Sequence, residues 1–207
     1  MSGGIAHNIF GESILTLHSE VQDALAEPQI FFRLAGSEYV GKSTLFNRFN
    51  DLGGNDYDDF TVIPRRNINA FYHHIPIVPP GRRPGVYLIC ADFEPAPQPE
   101  EEFAASFETP IPQMGAICFC MDVSDRTQIE VIYINAFLYA QNWQQNMPST
   151  ILIGTKIDER LEYDDCLTPG QGRRLASAIG AIRYIECSAW RKNGVRRVFR
   201  QILQMTL

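Results

Sequence analysis

Basic residues are in deficit, with 18 lysines and arginines against 24 aspartates and glutamates and a formal charge of −6. A nucleic-acid binder ordinarily carries a basic face, so that class of partner is set aside. Long hydrophobic runs are missing too: no apolar stretch approaches the ~20 residues that a membrane-spanning helix needs. The opening MSGGIAHNIF lacks the basic-then-apolar pattern of a secretory leader, and its second residue is not the glycine that myristoylation requires. The closing QILQMTL has no cysteine, so the sequence as given carries no lipidation motif. Cysteine is scarce, five residues and an odd number, at Cys90, Cys118, Cys120, Cys166 and Cys187. Cys90, Cys118 and Cys120 lie inside apolar runs and read as reduced core residues of a cytoplasmic protein. Cys118-Phe119-Cys120 has no second ligand pair nearby, so packing explains it better than a metal does.

What is present suits one globular domain: 45% hydrophobic and 20% charged residues over 207 positions, enough for a substantial core. Residues 1–28 form an extension in which Ile14, Leu17, Val21, Ala24 and Leu25 recur at helical spacing, which predicts a short amphipathic helix over about 12–26. From residue 29 to 207, apolar runs alternate with helical patterns. QIFFRLA (29–35), NAFYHHIPI, VYLICAD, GAICFCMDV (115–123), STILIGTK (149–156) and IRYIECSA read as six strands. The second and third are joined by the turn VPPGRRPG (78–85). Helices are expected after residue 42, over about 126–145, in GQGRRLASAIGA and in VRRVFRQILQM. This order predicts an α/β fold, a six-stranded mostly parallel sheet flanked by helices, with ligands at the carboxyl ends of the strands. His73 and His74 occupy adjacent strand positions, face opposite ways and cannot share a metal.

GSEYVGKS (36–43) has the spacing of a P-loop, follows a predicted strand and opens a predicted helix. Backbone N–H groups from Glu38 to Thr44, through Tyr39, Val40 and Gly41, would cradle phosphate. Lys42 supplies the counter-charge and the Ser43 hydroxyl reaches Mg²⁺. GTKID (154–158) and CSA (187–189) each lie at the end of a predicted strand. Asp158 there can accept two hydrogen bonds from guanine's N1–H and 2-amino group, a donor pair that adenine lacks. Thr155, Lys156, Ser188 and Ala189 complete the expected base site, with the Lys156 stem along the base and the Ala189 N–H on the guanine carbonyl. Paired polar recognition of this kind discriminates strongly.

With the three motifs in this order, the chain from about residue 29 to 207 resembles the Ras superfamily of small GTPases, and within it the Rho group. LIGTKID and LTPGQGRRLASAIGAIRYIECSA carry the Rho resemblance, although the stretch after Asp158 is shorter than the Rho insert. The resemblance implies GTP or GDP and Mg²⁺ as ligands, and effector or regulatory proteins that dock through 51–66 and 92–113. Thr61 follows Ser43 by 18 residues, the interval of the family's switch threonine, which makes Thr61 a Mg²⁺ ligand beside Ser43, with Asp92 acting through water. The family's base-packing aromatic falls at Gly54, with Tyr57 a substitute nearby.

Three departures bear on turnover. Pro95 stands where the family's glycine offers its N–H to the γ-phosphate, and proline has none. Ala96 replaces the glutamine that orients the attacking water. Glu38 puts a carboxylate in the cradle, at a cost of about 4 kcal/mol if held 4 Å from phosphate at an effective dielectric near 20, and far less if it swings into water. The expected protein binds guanine nucleotide and hydrolyses it weakly or not at all. The rival is an interaction module of the same fold that binds no nucleotide. A P-loop kinase or ATPase would need an adenine site and an arginine-rich lid, and neither is evident. Arg196, Arg197 and Arg200 lie opposite the apolar face of the last helix, which leaves peripheral contact with an anionic membrane open.

Overall fold

The computed structural model describes residues 29–52, 61–63, 68–75, 80–83, 85–93, 114–143 and 147–207. The expected helix of the N-terminal extension, Gly54, Tyr57, Pro95 and Ala96 lie outside these residues, as does most of the 92–113 segment.

The strands are β1 (Gln29–Ala35), β2 (Thr61–Ile63), β3 (Ile68–Ile75), β4 (Gly85–Phe93), β5 (Met114–Asp122), β6 (Ser149–Thr155) and β7 (Arg183–Glu186). They form one sheet in the order β2-β3-β4-β1-β5-β6-β7. The five strands from β4 to β7 in that order are mutually parallel, while β3 runs antiparallel to both β2 and β4. The sheet therefore has seven strands where the apolar runs predict six. The seventh, β2, is three residues long and too short to show any periodicity of its own.

Helices α1 (Lys42–Asp51), α2 (Gln128–Trp143), α3 (Pro169–Ala178) and α4 (Val195–Thr206) cover the sheet. The alternation of side chains along β5 divides the core in two. Ala116, Cys118 and Cys120 face one apolar cluster with Phe46 and Phe49 of α1 and Phe199 and Ile202 of α4. Ile117, Phe119 and Met121 face the other, with Ile132 and Tyr139 of α2 and Leu175 of α3. Both cysteines of the Cys118-Phe119-Cys120 triplet thus sit on one face, fully buried. Phe49 and Phe199 stack at 4.9 Å between α1 and α4, and Phe119 meets Tyr139 edge-on at 5.3 Å across the opposite layer.

Helix α3 starts as its sequence dictates. Thr168 and Gln171 form a reciprocal capping box with Pro169 in the first turn. Helix α4, on the opposite layer, buries Val195, Val198, Phe199 and Ile202 and leaves Arg196, Arg197 and Arg200 exposed.

Candidate nucleotide site

Because five strands run parallel, the carboxyl ends of β1, β4, β5, β6 and β7 lie at one end of the sheet. The site is built there.

The loop after β1 turns on Gly36 and Gly41, both with positive φ, 143° and 94°. A Cβ on Gly36 would lie 2.3 Å from the Cys120 carbonyl oxygen, so only glycine lets the loop pass this close to β5. Gly41 caps α1 and, as glycine, offers no side chain to the first-turn N–H groups. Lys42 is 9% exposed, and its Nζ donates to the carbonyls of Gly36 at 2.5 Å and Ser37 at 2.7 Å. The ammonium is therefore held on the inner side of the loop. Burial pushes the Cys120 thiol up to about 12, with Lys42 drawing it the other way. Ser43 and Thr44 are exposed on the first turn of α1, and Glu38 and Tyr39 are exposed on the loop itself. A carboxylate in water loses most of its electrostatic penalty against phosphate.

GTKID divides its work. Thr155 is buried, and its hydroxyl lies 2.7 Å from the Val40 carbonyl and 2.9 Å from the Met121 carbonyl. That one group ties the phosphate loop to β5 and β6. Lys156 adopts a left-handed backbone, φ 54°, and its Nζ meets Asp122 Oδ2 at 2.7 Å. Asp122 Oδ1 accepts from both the N–H and the hydroxyl of Ser124. Asp158 lies in the 3₁₀ turn Ile157–Leu161, and its Oδ1 is buried without a hydrogen-bond partner. That turn is braced from behind. Arg160 grips both carboxylate oxygens of Glu186 at 2.6 and 3.0 Å and the Leu167 carbonyl. Hydrogen bonding to Glu186 raises Arg160 above its ordinary value, and burial, then Glu186, raises the Tyr184 phenol.

After β7 the chain makes a tight turn. Ser188 and Asn193 exchange two backbone hydrogen bonds, at 2.8 and 3.0 Å, and Ser188 Oγ accepts from the Arg191 N–H. Arg48 Nε of α1 donates to the Ala189 carbonyl at 3.0 Å.

The loops after β1, β6 and β7 line an open cavity of about 400 Å³, with Gly41, Thr44, Thr155, Lys156, Asp158, Glu159, Glu162, Ala189, Trp190 and Arg191 around it. The size suits a nucleoside. Of the residues expected from the sequence, Gly41, Thr44, Thr155, Lys156, Asp158 and Ala189 converge on it. Ser188 stands behind the wall as a brace, 1% exposed. Asp92 is next to last in β4, paired with Arg33 of β1, so its backbone lies beside the start of the phosphate loop. Thr61 opens the edge strand β2, three strand spacings or roughly 14 Å from β1. Asp122, Glu159, Glu162, Trp190 and Arg191 were not expected at the site. Trp190 could have been noticed as one of only two tryptophans, directly after CSA.

Comparison with known proteins gives the family. Residues 98–207 match the model of the Ras family. The chain is also similar to the Ras-like GTP-binding protein RhoL of Drosophila melanogaster, 26% identical over 94 residues, or 45% of this chain and 49% of that protein. The chain thus matches about half the length of this curated relative.

Proposed function

The chain belongs to the Ras family, and from that premise we propose that it is a guanine-nucleotide-binding, Rho-type signalling protein with weak or absent GTP hydrolysis. Residues 29–207 form its GTPase-like domain and 1–28 an extension. The observation that carries this reading is Asp158. A buried carboxylate oxygen without a hydrogen bond is costly, and Asp158 Oδ1 is such an atom, in a side chain lining a nucleoside-sized cavity. Guanine's adjacent N–H donors are the complement it lacks. Lys156 and Ala189 line the same cavity, and Gly41 joins it to the phosphate loop.

The exposed Ser43 hydroxyl and Asp92 would hold Mg²⁺, since hydroxyl and carboxylate oxygens suit a hard cation. Thr61 would join them as a further oxygen ligand. When bound, the ion would offset phosphate charge. Lys42 neutralises and orients the phosphates, and Thr155 keeps the loop in register with the base site. Pro95 and Ala96 lack the N–H and the amide that hydrolysis would use, so GTP persists once bound. Effectors or regulators would engage 51–66 and 92–113, in the cytoplasm. The exposed arginines of α4 would allow peripheral contact with an anionic membrane.

Two measurements test this. Thermal denaturation with Mg²⁺ and GDP at a hundredfold excess over Kd should raise Tm by roughly 5–10 °C, an effect that ADP fails to reproduce and EDTA reduces. No shift with GDP or GTP would favour the nucleotide-free interaction module, the reading to which Glu38 in the cradle lends weight. Single-turnover hydrolysis of preloaded GTP should be faster in a Pro95→Gly/Ala96→Gln variant. Equal rates would overturn the slow-turnover part.

A further inference from the structure

Trp190 is 74% exposed, yet it lines the cavity. Its backbone is anchored on both sides: the Ser188–Asn193 bridge closes the turn, the Arg191 N–H donates to Ser188 Oγ, and the preceding carbonyl accepts from Arg48. The indole is therefore a large flat apolar group presented from a fixed base. The other residues lining the cavity are glycine, alanine, threonine or charged, so Trp190 is its one aromatic among the described residues. Asp158 and the phosphate loop can hold the edge and the tail of a nucleotide, but neither covers the face of a purine. Lys156 brings only an alkyl stem, and its ammonium is paired with Asp122.

We infer that Trp190 is the aromatic cover of the base site: its indole stacks on the purine bound between Lys156 and Ala189. The inference rests on the guanine-nucleotide reading above and adds a residue that sets affinity through the base alone. Aromatic stacking on a nucleobase is insensitive to base identity, because every base offers a π-face. Trp190 therefore strengthens binding while Asp158 selects the base.

The test compares the full chain with Trp190→Ala and Trp190→Phe variants by calorimetric titration with GDP, GTP and GMP. Trp190→Ala should weaken each nucleotide alike, by roughly tenfold or more. Trp190→Phe should recover most of the loss, and the Tm of both variants without nucleotide should match that of the wild type, since the indole is exposed. GDP should quench tryptophan fluorescence in the wild type and leave Trp190→Ala, which retains Trp143, unchanged. Unchanged affinity in Trp190→Ala would overturn the inference and leave the guanine reading intact, with the indole then free for a protein partner. Failure of the wild type to bind GDP would overturn both.

Discussion

Asp158 and Thr155 stand three positions apart in GTKID and do different work. Asp158 keeps a buried oxygen without a hydrogen-bond partner, which the proposed function assigns to guanine, whereas the Thr155 hydroxyl is already occupied by two carbonyls. Asp158→Ala is expected to weaken GDP by about a hundredfold or more, because two hydrogen bonds to a charged acceptor disappear. It should leave weak ADP binding unchanged, so the preference between the two collapses. Thr155→Val should act otherwise. Loss of a buried bridge costs about 1–3 kcal/mol, seen as a Tm lower by roughly 2–10 °C, with looser binding of GDP and no change in base preference. Titration of both variants with GDP and ADP separates selection from scaffolding. The sequence shows the motif but not this division, because Thr155 acts through Val40, 115 residues away.

Helix α2 is preceded by a small polar knot. Asp125 Oδ1 accepts from the backbone N–H and hydroxyl of Thr127, and its Oδ2 accepts from Gln128 Nε2. The Thr127 side chain leads in holding the Asp125 carboxyl below its ordinary 3.8. A lowered folded value means that the stabilisation is fully present above the unfolded pKa and is lost as pH falls through the folded one. Acid titration of stability should therefore show a loss below about pH 4 that shrinks in Asp125→Asn; an identical profile in the variant would rule out Asp125 as the source. At this scale the sequence is a good guide where an element buries a face. The apolar runs of β1, β5 and β6 and the stripe Val195, Val198, Phe199, Ile202 of α4 give their elements away through period and length. The edge strand β2 and the 3₁₀ turn Ile157–Leu161 do not, because each is only three to five residues long, too short to show a period of its own.

At the scale of the molecule, two apolar layers among the described residues cover one seven-stranded sheet, and the cavity lies at the carboxyl end of its parallel strands. The same burial accounts for the thiols. Cys118, Cys120 and Cys187 are fully buried, and desolvation raises all three above the ordinary thiol value. Labelling of the native protein with a thiol reagent at pH 8 should spare these three and reach them at the rate of global unfolding. Early labelling at any of them would show that the β5–β7 core opens locally. The phosphate loop, Lys156, Asp158 and Ala189 are legible in the sequence because their motifs are local and each follows an apolar run. Asp122 and Trp190 are not, because they belong to no motif and reach the site through the packing of β5 beside β6 and the turn after β7. The central claim is that a guanine nucleotide occupies that end. Its most direct test is mass spectrometry of whatever the freshly purified protein releases on denaturation, followed by reloading at millimolar Mg²⁺. Near-stoichiometric GTP or GDP, with GTP retained after loading, is the expected result; a protein that releases no nucleotide and takes up neither form would contradict the account.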